Sequence, residues 1–336
     1  MKSGDDFNVL ITSASRKVWL IKAFKQAIAE EGKGKVIAGD ASPRSPTLCL
    51  ADEGVILPPD DNPNQESWLQ EYCIRKGIKL LVPTRDEELP IFAGLSKSFL
   101  AEGIRIMVAE SEVIETCRDK GKFVEFCQAH GFRTPMTFSA IDEIHNRDFP
   151  LFLKERFGKG GKNIFQAKDR ADLEYILKRM QDPIVQKFVD ATEYTVDVLS
   201  NFEGEVISAI PRERSLIIAG ESQVSITRMN WKIIHEASNL STELGLVGHN
   251  TIQCFETEGD VEFIEVNPRF GGAANLGFAA GCCSPRLLID MVRGKPVLPR
   301  LGQFKPNLMM LRYSQDLFIQ EEELVHSFDK NQSRVV

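Results

Sequence analysis

A carboxylate, a carboxamide and a guanidinium stand close together in the stretch Val261 to Gly277, VEFIEVNPRFGGAANLG. Val261 to Asn267 reads as a strand, with β-branched and aromatic residues alternating with acids, and Pro268 ends it. Side chains on a strand alternate faces, so Glu265 and Asn267 point the same way, about 7 Å apart. A carboxylate and a carboxamide at that spacing form one side of a site for a hard cation, Mg2+ or Mn2+. Arg269 follows at once, and Gly271 and Gly272 let backbone come close to a ligand. Taken without its surroundings, the same stretch is a polar strand end running into a glycine turn.

Two ligands from one strand leave Mg2+ mostly in water, so a third should come from the neighbouring strand, 250–256, where Gln253 is the candidate. Thr257 to Asp260 reads as the hairpin between the two strands. A two-residue turn at Glu258-Gly259 sets Gln253 opposite Ile264, facing away from Glu265. A three-residue loop, Glu258 to Asp260, sets Gln253 opposite Glu265 on one face. The metal site therefore calls for the odd-length loop.

A second group of cations lies upstream. Residues 151–154 (LFLK) form a strand ending in Lys154, and the segment RFGKGGKNIF follows, with Gly158, Gly160, Gly161, Lys159 and Lys162. A glycine- and lysine-rich loop between two strands can fold over phosphates with its backbone N–H groups, and Lys154 would point a cation at the same phosphates. The plain alternative is a flexible hairpin tip. With little apolar anchor, loop 156–163 is expected to be mobile until a nucleotide orders it.

Strands at 8–12, 35–39, 54–57, 79–82 and 104–108 alternate with helices at 17–31, 65–76 and 86–101, the pattern of a parallel α/β sheet. Ligands of such sheets bind at the carboxyl ends of the strands. Here those ends carry Thr12 to Arg16, Asp40 and Thr84-Arg85-Asp86, which hints at a substrate site, although Ser13 also reads as a helix N-cap. No G-x-G-x-x-G is present, which argues against a dehydrogenase. Helices at 120–130, 171–180, 230–244 and 284–293 and strands at 163–166, 184–189, 193–200, 205–210, 214–219 and 223–227 make the remainder α+β.

The chain has 336 residues, enough for about two domains. Its formal charge of -7 argues against a nucleic-acid surface, and no apolar run reaches the length of a membrane span. The seven cysteines form no C-x-x-C pair, so neither a disulfide framework nor a zinc site is expected, and the expected compartment is the reducing cytoplasm.

Asp119-Lys120, the strand ending in Lys154, the Gly/Lys loop, QKFVDATE, Gln253 and FIEVNPRF together resemble the ATP-grasp superfamily, in the order that family uses. The closest flavour is one half of a carbamoyl-phosphate synthase large subunit, on the E-x-N-P-R segment and the TSASRK start. The resemblance implies a pre-ATP-grasp α/β domain over about 1–115 and a two-lobed ATP-grasp domain over about 116–320, the nucleotide lobe ending near 188. It implies that Lys120 and Lys154 bind the α- and β-phosphates and that Gly160 and Gly161 close over the triphosphate. Gln186 would meet the adenine amine, with Lys187 and Phe188 at the hinge, Val189 as apolar wall and Glu193 on the ribose. Glu193 otherwise reads as a surface ion pair. Gln253, Glu265 and Asn267 would hold Mg2+, and Arg269 would stabilise the transferred phosphoryl group. Gln186 stands where an acid is common in the family and can still accept from the adenine amine. Gln253 stands where many members carry a carboxylate, which leaves the metal site less charged.

The implied activity is an ATP- and Mg-dependent ligase. It would activate a carboxylate, or bicarbonate, as an acyl-phosphate for attack by an amine or ammonia. The alternatives are a synthase-like half acting with a partner, or a nucleotide-binding protein without turnover. The expected partners are small molecules and, for assembly, a second copy in a homodimer.

Overall fold

The computed structural model describes residues 6–59, 61–158 and 163–321. The first sheet is wholly parallel. Its strands are β1 (Asn8–Ile11), β2 (Val36–Asp40), β3 (Glu53–Ile56), β4 (Ile78–Val82) and β5 (Arg105–Ile106), in the order β3-β2-β1-β4-β5. The connecting helices are α1 (Val18–Glu31), α2 (Pro46–Leu50), α3 (Gln65–Arg75) and α4 (Leu89–Ala101), and α5 (Ser111–Arg118) leaves the sheet. Both sheet faces are buried, which is why these strands read as unbroken apolar runs. The C-terminal ends of β1, β2 and β4 lie side by side and open towards the rest of the chain.

The next layer holds α6 (Lys120–Ala129) and a four-stranded antiparallel sheet in the order β6-β9-β7-β8. Its strands are β6 (Thr137–Phe138), β7 (Leu151–Glu155), β8 (Phe165–Ala167) and β9 (Pro183–Lys187), with α7 (Arg170–Leu177) packed across them. Gly160 and Gly161, two of the candidate phosphate contacts, lie outside the described residues, as does most of the loop expected to close over the nucleotide.

A six-stranded sheet completes the molecule, in the order β14-β13-β10-β11-β12-β15. Its strands are β10 (Thr192–Ser200), β11 (Val206–Ile218), β12 (Glu221–Thr227), β13 (Gly248–Thr257), β14 (Asp260–Asn267) and β15 (Met309–Leu311). Helix α8 (Trp231–Leu244) covers one face, and α9 (Asn275–Ala279) and α10 (Ser284–Val292) follow β14. The expected strands 205–210 and 214–219 are a single strand, because Pro211 does not interrupt it. The Pro211 carbonyl accepts from Arg228 N at 2.9 Å, so its nitrogen faces the frayed end of β12 and no N–H is missed.

Helix α1 packs against α10, and Leu20, Phe24, Phe270, Ala274, Leu287 and Leu288 share one buried cluster. That shared core holds the carboxyl edge of the parallel sheet over one face of the six-stranded sheet.

Candidate active site

The Glu265–Asn267 segment reaches its place by a route the sequence hides. The hairpin loop is the two-residue turn Glu258-Gly259, with φ of 45° and 83°, and Thr257 pairs with Asp260. The odd-length loop is therefore absent. Even so, Gln253 pairs with Glu265 and Thr251 with Asn267. A β-bulge makes the difference: Cys254 pairs with Phe263, and Ile264 is the extra residue. One inserted residue moves Glu265 and Asn267 onto the face that a regular ladder would have given to Ile264 and Val266. The Ile264 carbonyl accepts from Lys154 Nζ at 3.3 Å, so the bulge also gives the buried lysine a partner.

Strand pairing then lays polar residues out in rows. Arg212, Thr195, Gln253 and Glu265 form one row across β11, β10, β13 and β14. Asp197, Thr251 and Asn267 form the next. Apart from the buried Asp197, these residues line the floor of a cavity of about 1110 Å3 whose roof is the four-stranded sheet and whose far end is the carboxyl edge of the parallel sheet. Lys120, Lys154, Gln186, Lys187, Phe188 and Val189 line it from the roof and hinge side. Glu193, Gln253, Glu265, Asn267 and Arg269 line it from the floor. The site residues expected from sequence thus face one space wherever they are described.

Lys154 is 5 % exposed. Burial pulls its pKa down to about 8, helped by Lys120 and opposed by Glu265 and Glu193. Lys120, also buried, donates to the Gly158 carbonyl at 2.5 Å. Its helix is anchored by Asp119, which caps α6 by accepting from Gly121 N and Lys122 N at 2.9 and 3.2 Å. Arg156 donates to the same carboxylate through Nε and Nη2, at 2.7 and 2.9 Å. Burial alone would raise the Asp119 carboxyl, but Arg156 and the two amides hold it below its ordinary value. Among the described residues neither Lys120 nor Lys154 has a carboxylate hydrogen-bonded to it, and the two cations stand close enough to act on each other.

At the hinge, Gln186 is 2 % exposed and its Nε2 donates to Thr137 Oγ1 at 2.9 Å, which presents the carboxamide oxygen as an acceptor. The backbone N–H groups of Lys187 and Phe188 donate to Met136 and Pro150 carbonyls, so those two amides brace the hinge. Glu193 accepts from Arg214 and, at 3.0 Å, from Gln253 Nε2. It is an ion pair, and it lies inside the cavity, with its side chain 22 % exposed.

The metal candidates bond among themselves. Asn267 Nδ2 donates to Glu265 Oε1 at 3.0 Å, and Asn267 Oδ1 accepts from Arg269 Nη2 at 3.1 Å. No cluster of three His, Cys, Asp or Glu occurs among the described residues. One carboxylate and two amide oxygens suit a hard cation that takes most of its ligands from phosphates and water, as Mg2+ does. The residues present therefore fit a nucleotide-borne Mg2+ and not an ion held by protein alone.

Arg269 meets Asp86, across the domain junction, through Nε at 2.8 Å and Nη2 at 2.6 Å. Nη1 donates to the Phe270 carbonyl at 3.2 Å, so all but one of its N–H donors are engaged. To reach a phosphoryl group with more than one hydrogen, Arg269 must loosen its grip on Asp86. Lys17 lines the same end, and burial, then the Arg269 charge, lowers its pKa.

Sequence reasoning missed Arg212, Arg214 and Lys17. Arg212 is 1 % exposed, and its Nε and Nη2 donate to Asp197 at 2.6 and 2.8 Å. His249 Nε2 stands 3.7 Å from the same carboxylate and its ring stacks on Phe270. The alternation in Pro211-Arg212-Glu213-Arg214 was the available signal, since both arginines fall on the cavity face.

A family profile described as an ATP-grasp domain matches residues 117–273, and one described as a PylC-like N-terminal domain matches 9–107. A D-alanine–D-alanine ligase of Fusobacterium nucleatum is 25% identical over 160 residues, 44% of this chain and 55% of that protein. A carbamoyl phosphate synthase large chain of Vibrio cholerae is 26% identical over 196 residues, 52% of this chain and 18% of that protein. The chain therefore spans about half of the first relative and under a fifth of the second. The biotin carboxylase domain of Hydrogenobacter thermophilus 2-oxoglutarate carboxylase, solved as a dimer with MgADP, ADP and bicarbonate, shares the fold. It matches with a TM-score of 0.73 at 17% identity, over 91% of this chain and 74% of that one. By sequence, and with a fold to match, this chain carries a PylC-like N-terminal domain followed by an ATP-grasp domain.

Proposed function

We propose that the protein is an ATP-dependent ligase that activates a carboxylate as an acyl-phosphate and passes the acyl group to an amine. The observation that carries this reading is the meeting of Lys120, Lys154, Glu265, Asn267 and Arg269 in one cavity. A protein that only held a nucleotide would not need Arg269 at the far end of the phosphate site.

In this reading the adenine lies at the hinge, its amine donating to Gln186 Oε1 against Val189, and Glu193 takes the ribose hydroxyls. Lys120 and Lys154 neutralise the α- and β-phosphates, and Gly160 and Gly161 cover the triphosphate. Gln253, Glu265 and Asn267 hold Mg2+ or Mn2+, which supplies charge neutralisation on the phosphates when bound. The carboxylate oxygen attacks the γ-phosphorus while the bond to ADP breaks. Arg269 stabilises the charge that spreads over the transferred phosphoryl oxygens. The amine nitrogen then attacks the acyl carbon, the carbon–oxygen bond to phosphate breaks, and the amine proton leaves with the phosphate. The chain's own work is positioning and charge neutralisation, with no nucleophilic side chain required.

The test is ADP release by the full chain with MgATP across pairs of acids and amines, bicarbonate and ammonia included. Release that needs both an acid and an amine is expected. Release indifferent to both, or none with any pair, would contradict the ligase.

A further inference from the structure

We infer that the acid this protein activates carries an apolar body the size of an aliphatic or aromatic side chain, seated in the parallel-sheet domain. The inference rests on the ligase reading above and names its substrate class. The cavity, at about 1110 Å3, exceeds the upper end of ordinary single-ligand sites, about 1,000 Å3. Beyond the phosphate end the cavity continues along the parallel-sheet domain. Leu57 after β3, Trp68 on α3, and Ile91, Phe92 and Leu95 on α4 all face the same space. Ile91, Phe92 and Leu95 are spaced as one stripe of a helix. Leu57, Trp68 and Leu95 are only partly covered, although each packs against the buried core of this domain. Apolar side chains left facing a cavity, at the carboxyl edge of a parallel sheet, are a binding wall in want of an apolar ligand.

Polar groups, among them Gln65, Glu66 and Glu87, are interspersed along the same wall, and Arg269 stands where it meets the phosphate end. There the Arg269–Asp86 pair spans the junction, with Lys17 and Arg212 lining the cavity close by in the fold. Arg212 Nη1 is buried and has no hydrogen-bond partner among the described residues. A carboxylate drawn to Arg269 therefore has its reactive oxygen towards the nucleotide and its body towards Ile91 and Leu95. Bicarbonate fills none of this wall, and a small polar acid leaves it wet.

The experiment uses the full chain with MgADP for binding and MgATP for turnover. The probes are L-phenylalanine, L-leucine and 3-phenylpropionate, set against bicarbonate, acetate and L-aspartate, each with ammonia or glycine amide. The apolar acids are expected to raise the melting temperature and stimulate ADP release, and the polar set to do neither. Ile91→Asp is expected to raise the KM for the apolar acid by about tenfold or more while leaving MgADP affinity unchanged. Leu95→Asn is the second variant if Ile91→Asp does not fold. If bicarbonate or acetate stimulates as well as the apolar acids, the ligase stands and this inference falls. If no apolar acid shifts the melting temperature, or both folded variants keep the wild-type KM, it falls too. Apolar acids that bind without releasing ADP uphold the apolar seat and refute the ligase.

Discussion

Nucleotide binding should draw a proton from solvent, and Lys154 should be the group that takes it. The lysine is buried, and its pKa falls from 10.5 to about 8. That shift corresponds to about 3 kcal/mol held against the ammonium form. In the free protein at pH 8 about half of the molecules carry a neutral amine there. A triphosphate beside Nζ favours the charged form and restores it. Proton uptake on binding should therefore be about 0.1 at pH 7, about 0.5 at pH 8 and about 0.9 at pH 9. Nucleotide affinity should weaken about tenfold from pH 7 to pH 9. Calorimetry with ADP, in buffers of different ionisation enthalpy, reads the uptake directly. Lys154→Met should abolish both the uptake and the pH dependence, and should weaken binding by about tenfold or more through the lost charged hydrogen bonds. No uptake in the wild type at pH 9, or the same uptake in Lys154→Met, would refute the reasoning. The sign for stability follows from the same shift. The unfolded chain holds the proton up to 10.5, so the nucleotide-free protein should gain stability as pH rises from about 8 towards 10.5.

Asp197→Asn leaves Arg212 buried without its counter-charge and should cost about 3–5 kcal/mol in denaturant unfolding; an unchanged midpoint would show that the pair does not support the floor. Burial alone would raise the Asp197 carboxyl, but Arg212 and His249 hold it down to about 2, so its contribution should be lost as pH falls from 3.8 towards 2. Glu265→Gln removes the one carboxylate of the metal set and should raise the Mg2+ concentration needed for half-maximal ADP release; an unchanged Mg2+ requirement would remove Glu265 from the site. Glu193→Ala should weaken ATP by about tenfold but leave 2′,3′-dideoxy-ATP as it binds the wild type, whereas equal losses on both would mark Glu193 as a partner of Arg214 only.

Periodicity made most of the scaffold legible. The strands from Asn8, Val36, Glu53 and Ile78 announce themselves as short apolar runs between helical stripes, and the parallel sheet follows from their alternation. Local signals also marked part of the cavity wall, because Lys154 stands near a strand end beside the Gly/Lys loop and Glu265 and Asn267 alternate on one strand face. What stayed hidden depends on contacts between distant residues or on compensating irregularities. The two-residue turn at Glu258-Gly259 and the bulge at Ile264 sum to the pairing an odd loop would give, so pattern alone cannot separate them. Arg269 binds Asp86 from 183 residues away, and no spacing rule connects them. Pro211 reads as a strand breaker until the end of β12 is known.

The claim at the centre is that a carboxylate oxygen attacks the γ-phosphate of ATP in this cavity. It is tested most directly with an acid labelled in its carboxylate oxygens with 18O, chosen from those that stimulate ADP release, followed by mass analysis of the phosphate formed. The account requires one labelled oxygen in each phosphate released, in step with ADP and absent in Lys154→Met. Unlabelled phosphate, made at the same rate with water as the attacking group, would contradict it.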